Sequence, residues 1–109
     1  MIAEKGIAYL ADQFHQDMLD IYKTAKRECH YNANYFLGML SDLGGVETAK
    51  RLLATAEPSE GFTTLYLCKR LDLTVEAHVI KSEYASLFTP EEIEIARARL
   101  KEYGYKLVE

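Results

Sequence analysis

The sequence predicts an all-α protein: one compact helical bundle of five to seven helices with a long N-terminal helix. Apolar residues recur at three- and four-residue spacing along most of the chain, and no alternating pattern persists as a strand would require. The breaks between these segments carry Gly44-Gly45, Pro58 and Gly104, residue types that end helices. At 109 residues, the chain is predicted to form a single helical domain, residues 1–109.

The first helix is predicted from about residue 6 to residue 29. Its apolar residues are spaced four and three apart over about three heptads. This seam consists of Ile7, Ala11, Phe14, Met18, Ile21 and Ala25. A seam of this kind packs either inside one bundle or against a second copy, so the pattern leaves a homodimer open.

Shorter helices are predicted to follow. Asn32 is the expected N-cap of the second helix, and Gly44-Gly45 ends it because glycine adopts the left-handed conformation that terminates helices. A third helix is predicted from Val46 to the break at Pro58. Ser59 is the expected N-cap of the fourth.

The C-terminal third contains the clearest helix start. Asp72 or Thr74 is predicted to open a short helix. The string Thr89-Pro90-Glu91-Glu92 predicts the final helix, with Thr as N-cap, Pro at the first helical position and Glu91 as the third residue of a capping box. Gly104 is expected to end that helix.

Composition excludes several classes of protein. Apolar residues make up 49% of the chain, charged residues 28%, and the net charge is −4, which disfavours binding to a phosphate backbone. No apolar stretch is long enough to span a bilayer, and Met1–Gly6 lacks a basic signal-peptide start, so we expect a cytoplasmic protein without a membrane partner. In that compartment Cys29 and Cys68 are expected to be free thiols.

Motifs for catalysis and metal binding are missing from the sequence. It contains no C-x-x-C, H-E-x-x-H or G-x-S-x-G pattern, so we predict no catalytic residue, no metal and no cofactor. This favours a non-enzymatic protein without deciding the matter. The alternative is a small enzyme or ligand-binding protein centred on Cys68, Arg70 and Asp72, whose functional groups lie close together in the sequence.

A segment resembling a helix-turn-helix spans residues 46–70 and gives a second alternative, nucleic-acid binding. Its second helix would present four side chains to a DNA groove: Thr63, Thr64, Lys69 and Arg70. The turn is long for this motif and carries Glu57 and Glu60, which oppose binding to phosphates.

Eight tyrosines are more than a core of this size can bury. Tyrosine is enriched at protein interfaces, and Tyr31, Tyr35 and Tyr66 are the candidate partner-binding residues. The alternative is that these rings lie half-buried at the rim of the core. Together with the heptad seam and the missing catalytic motifs, they predict a non-enzymatic interaction module that binds a protein partner or self-associates.

Four strings carry a resemblance to known proteins. They are Gly44-Gly45-Val46-Glu47-Thr48-Ala49, Ser59-Glu60-Gly61-Phe62-Thr63-Thr64-Leu65, Arg70-Leu71-Asp72-Leu73-Thr74-Val75-Glu76 and Leu87-Phe88-Thr89-Pro90-Glu91-Glu92. In these strings the chain resembles a group of small bacterial helical proteins and C-terminal modules, over about residues 15–105. The resemblance implies a bacterial, intracellular accessory domain, and it brings no activity and no site residue.

Overall fold

Helix α1 (Ile2–Cys29) runs along the length of the molecule, which is 43 Å in its longest dimension. The computed structural model describes the backbone of residues 2–107 and the side chains of residues 6–107. Four residues of the predicted seam are buried in the core: Phe14, Met18, Ile21 and Ala25. Ile7, at the N-terminal end of the seam, is 49% exposed, so the described fold covers only the later part of this apolar face.

Five shorter α-helices pack around α1. They are α2 (Asn34–Leu43), α3 (Gly45–Leu53), α4 (Glu60–Leu67), α5 (Val75–Val79) and α6 (Pro90–Glu102), with 3₁₀ turns at Leu71–Leu73 and Ser82–Leu87. The part of the chain that the structure describes contains no strand. The predicted all-α fold with a long N-terminal helix is therefore confirmed. No described helix is both long enough and apolar enough to traverse a lipid bilayer.

Helix α5 lies at the centre of the bundle, and all five of its residues are buried. It packs against α1, α3 and α6. Beside it, the ring of Phe14 contacts Tyr84 and Phe88 edge-on, with centroids 5.0 and 5.2 Å apart. Edge-to-face packing of this kind stabilises a core beyond the apolar area it buries.

The Gly44-Gly45 pair has two separate roles. Gly44 has a φ of 84°, a left-handed conformation that glycine adopts without strain between α2 and α3. At Gly45 the backbone of α3 approaches α1 so closely that a Cβ atom would lie 2.7 Å from the Cα of His15. The second glycine therefore allows the contact between the two helices.

Two predicted helix starts differ in detail from the structure, and one of the two residues expected to open α5 is confirmed. Ala33, not Asn32, is the N-cap of α2, and no side chain caps that helix. Thr74 opens α5, where its Oγ1 accepts a hydrogen bond from the backbone N–H of Ala77. The capping box of α6 exists, but Glu92 fills its third helical position, because Pro90 is the first. The prediction of Glu91 was wrong by one residue.

The prediction of free thiols is contradicted, because Cys29 and Cys68 form a disulfide. Each cysteine lies at the C-terminal end of a helix, and their Cα atoms are 6.0 Å apart, a usual separation for a disulfide. These two helix ends are remote in sequence and become neighbours only through the tertiary fold. Local sequence patterns therefore do not indicate that the cysteines pair. The bond joins the end of α1 to the end of α4.

An ion pair lies in the interior between α5 and α6. Arg99 donates to the carboxylate of Glu76 at 3.0 Å, and their side chains are 8% and 3% exposed. The same guanidinium donates to the backbone carbonyls of Leu52 and Thr55, at the C-terminal end of α3. One buried cation therefore connects three helices and pairs with the carbonyl of Thr55 just after α3, while the Leu52 carbonyl also accepts from the Thr55 hydroxyl.

Candidate functional site

A cleft of about 460 Å³ opens between the segment that follows α1 and the first turn of α4. One wall is formed by residues 31–36, which lead into α2, and the facing wall by residues 59–62. The floor is formed by side chains of α1, α3 and α5, including Ile21, Leu52 and Val75. A cleft of this size lies within the range of sites that bind small molecules or single anchor side chains.

Most of the cleft surface is apolar. The apolar and aromatic lining residues are Ile21, Ala25, Tyr31, Ala33, Tyr35, Phe36, Met39, Leu52, Phe62, Leu65 and Val75. Polar groups stand at the mouth, among them the side chains of Asn32 and Asn34. An apolar interior with a few polar groups is the usual composition of a binding site.

Two of the predicted partner-binding residues meet at this cleft. Tyr31 is half-buried against the core, and Tyr35 is 84% exposed at the mouth. Burial, together with the nearby carboxylate of Glu60, raises the pKa of the Tyr31 hydroxyl. This ring therefore stays neutral at physiological pH and offers both a donor and an acceptor at the mouth.

The floor carries the buried carboxylate of Glu76. Burial raises the pKa of this carboxyl group, and the hydrogen bond and charge of Arg99 oppose that rise in part. Whether the pair is ionised or Glu76 is protonated, Arg99 remains beside it, and a guanidinium does not deprotonate. The floor therefore presents no unpaired negative charge to a ligand.

The charges around the mouth are also close to balance. Glu60 makes no salt bridge with any described residue. Opposing it, the N-terminal ends of α2 and α4 line the cleft, each carrying a partial positive charge of about one half. These contributions largely cancel, so the cleft suits an uncharged apolar group better than a strongly charged one.

The third predicted partner-binding residue, Tyr66, lies away from the cleft. Its ring packs edge-on against Tyr103, with centroids 4.9 Å apart, and Tyr103 in turn contacts Phe62. Tyr66 lies one turn beyond Phe62 on the same face of α4, and it is not among the residues that line the cleft. The structure thus brings together two of the three tyrosines.

The four residues of the predicted nucleic-acid surface differ in their exposure and in their bonding partners. Thr63 is exposed, and its hydroxyl donates to the backbone carbonyl of Ser59. Thr64 is half-buried, and Lys69 is exposed just beyond α4 with a φ of 65°. Arg70 bonds to the carboxylates of Asp72 and Glu28 in one ion-pair cluster. Its charge is therefore largely offset within the protein.

Cys68, Arg70 and Asp72 lie near one another, but none of them lines the cleft. Cys68 is bonded to Cys29, and Arg70 donates two hydrogen bonds of 3.0 Å to the carboxylate of Asp72. These bonds lower the pKa of the Asp72 carboxyl group. The arrangement fixes the junction after α4, and the nucleophile that this alternative requires is held as a disulfide.

No group of three His, Cys, Asp or Glu side chains that could hold a metal ion occurs among the described residues. Comparisons with protein-family models, curated proteins and solved structures find no match to the chain.

Sequence reasoning missed most of the cleft. Gly61 is the clearest case, because it lines the cleft and a Cβ at that position would be in ordinary contact with Tyr31, 3.7 Å from its hydroxyl oxygen and 3.8 Å from its ring. Glu76 was also missed, although a carboxylate inside the apolar run Val75–Ile80 was a signal that could have been followed. Residues 31–36 and 59–62 come to face each other through tertiary packing, and no local sequence pattern predicts that contact.

Proposed function

We propose that this protein is a non-enzymatic interaction module that binds a partner protein by accepting an uncharged apolar side chain of that partner in the cleft. The observation that carries the proposal is the cleft itself, a concave apolar surface whose mouth holds Tyr31 and the exposed ring of Tyr35. Interfaces obtain most of their binding energy from a few aromatic or apolar anchors seated in such pockets.

The balance of charges defines the chemistry of the partner. A buried, paired floor and a nearly neutral mouth give no compensation to a bound ion, whose desolvation would then cost free energy. A leucine, methionine or phenylalanine side chain loses no such hydration. The proposed partner segment therefore presents one of these residues, and its backbone polar groups reach the Asn32 and Asn34 side chains at the mouth.

Self-association is the second form of interaction that the seam on α1 supports. Ile7 is 49% exposed, near the N-terminal end of α1 where this seam extends beyond the core. One strongly exposed seam residue gives less support for binding a partner than the concave apolar cleft does. Light scattering on the purified protein separates a monomer from a dimer.

Selection from a peptide library tests the proposal. Random peptides displayed on phage are selected against the full-length protein, and the affinities of the enriched peptides are measured by fluorescence polarisation. We expect Gly61→Phe to weaken binding by about tenfold or more, because the added ring starts from a Cβ already in contact with Tyr31 and occupies space at this wall of the cleft. Gly61→Ala is the matched control, since its Cβ makes only ordinary contacts of 3.7 Å and beyond.

A second pair of variants avoids the core entirely. Tyr35→Ala removes a ring that is 84% exposed, so folding does not depend on it, and we expect about a tenfold loss of affinity. Tyr9→Ala removes a comparably exposed ring outside the cleft and is expected to bind normally. Enriched peptides that bind Gly61→Phe and Tyr35→Ala as tightly as the unmodified protein would contradict the proposal.

The two alternatives have weaker support. Nucleic-acid binding relies on Lys69 and Arg70, and the guanidinium of Arg70 is already paired with Glu28 and Asp72. A gel-shift titration at low salt that shows no binding would remove it. A small enzyme centred on Cys68 relies on a thiol that is bonded to Cys29.

The proposed location is the cytoplasm of a bacterium, as the sequence analysis and the resemblance imply. The disulfide opposes that location, because disulfides persist mainly in oxidising compartments. Trapping the thiols with a maleimide reagent immediately after cell lysis reports their state in the cell. Mostly reduced Cys29 and Cys68 would support the cytoplasm, and a stable disulfide would support an oxidising compartment.

A further inference from the structure

We infer that the Cys29–Cys68 disulfide is a reversible redox strap that holds α4 in place as a wall of the cleft, so that reduction loosens α4 and weakens binding there. The inference rests on the proposed function of the cleft. It concerns the bond between the ends of α1 and α4, which lies outside the lining itself.

The positions of the two sulfurs carry the argument. Cys29 ends α1, and the chain turns at His30, with a φ of 54°, directly into the cleft wall that begins at Tyr31. Cys68 follows the last turn of α4, whose first turn forms the opposite wall. The bond therefore joins the two chain segments that face each other across the opening, and it restrains their relative position.

Helix α4 is a short helix that only a few buried side chains hold. It has eight residues, which is shorter than a helix that is stable by itself in water, so tertiary contacts must hold it. Two of its side chains, Phe62 and Leu65, are buried. The segment before it, residues 54–57, is exposed. Few apolar contacts and exposed flanks are the features of a locally unstable segment.

A second, non-covalent strap lies beside the disulfide. Arg70 bonds to Glu28, one residue before Cys29, and to Asp72. These groups are partly exposed, so their ion pairs are screened by solvent and salt. When the disulfide is reduced they keep α4 near its folded position but hold it less firmly. Reduction therefore lowers the population of the binding-competent cleft without unfolding the protein.

The redox step is an ordinary thiol–disulfide exchange with a dithiol reductant. A thiolate of the reductant attacks one of the two sulfurs, the Cys29–Cys68 bond breaks, and a mixed disulfide forms. The second thiol of the reductant then releases the protein. Two electrons and two protons pass to the cysteines, which become thiols, and the reductant becomes a disulfide. Both cysteines are half-buried, so a reductant can approach them from the surface.

Hydrogen exchange and peptide affinity test the inference together. In the reduced protein we expect the exchange of amides in α4 to accelerate at least tenfold more than that of amides in α3, which packs mainly on α1 and α2. We also expect the affinity for a cleft-binding peptide from the phage selection to fall by about tenfold. The variant Cys29→Ser/Cys68→Ser should reproduce both changes and should not respond to a reductant.

The outcomes separate this inference from the proposed function. Equal exchange of α4 in the oxidised and reduced protein, or equal peptide affinity, overturns the strap while leaving the cleft intact. Peptides whose binding ignores Gly61→Phe overturn the cleft, and the exchange measurement still decides whether the bond restrains α4. If the serine variant does not fold, the comparison of oxidised and reduced unmodified protein remains decisive.

Discussion

The buried pair of Glu76 and Arg99 gives a sharp prediction about stability. Replacing Arg99 by Met keeps the side-chain volume but leaves the carboxyl group of Glu76 buried, at 3% exposure, without its partner. Breaking a buried pair in this way costs about 3–5 kcal/mol of unfolding free energy. For a domain of this size that corresponds to a fall of about 12 °C or more in the melting temperature.

The double variant Glu76→Leu/Arg99→Met tests the cause. It removes both charges together, so we expect it to recover much of the loss, because apolar replacement of a whole buried pair is often neutral. It still leaves the carbonyl of Thr55 without the donor Arg99, at a cost of about 1–3 kcal/mol, whereas the carbonyl of Leu52 keeps its bond from the Thr55 hydroxyl. Urea unfolding of all the variants measures these free energies.

The pH dependence gives an independent check. Burial raises the folded-state pKa of Glu76 above its usual value of 4.5, so between these two values the folded protein binds more protons than the unfolded chain. Stability contributed by this group therefore rises as the pH falls through that window. Subtracting the stability-versus-pH curve of Glu76→Gln from that of the unmodified protein isolates the contribution of Glu76. An Arg99→Met variant within about 1 kcal/mol of the unmodified protein, or a difference curve of opposite sign, would refute the reasoning.

Three further changes test the packing of the fold. Cys29→Ser/Cys68→Ser is expected to lower the unfolding free energy by about 4 kcal/mol, because the disulfide joins residues 39 positions apart and so restricts the unfolded chain. Chemical denaturation measures this loss. Gly45→Ala should destabilise the fold by about 1–3 kcal/mol, because its Cβ clashes with the backbone of α1. Gly38→Ala has open space around it and should stabilise the fold. Calorimetry that ranks the two variants the other way would count against the described packing. Thr89→Ala removes the capping box of α6 and should cost about 1 kcal/mol, seen as a lower melting temperature by circular dichroism.

Local sequence patterns predicted the helices well because their causes are local. The seam of α1, the turn at Gly44 and the capping signal at Thr89 each depend on neighbouring residues. The errors are also local in kind: Pro90 occupies the first helical position, which moves the capping glutamate one residue along. At α2, the backbone begins the helix after Ala33 without using a side-chain cap.

The candidate site was predicted only in part because it is assembled by tertiary packing. The surplus of tyrosine predicted Tyr31 and Tyr35, which line the cleft. It also predicted Tyr66, which packs against Tyr103 outside the cleft. The disulfide and the pair of Glu76 with Arg99 join residues 39 and 23 positions apart. No periodicity along the chain indicates such pairs, so they follow from the fold.

The most direct test of the proposed binding site is an NMR titration of the oxidised protein with a peptide from the phage selection. We predict that the largest amide shifts fall on the two walls of the cleft, at Tyr31, Tyr35 and Gly61, and that Gly61→Phe abolishes them. Shifts concentrated instead around Ile7 and Tyr9 on α1, with the cleft walls unchanged, would contradict the account.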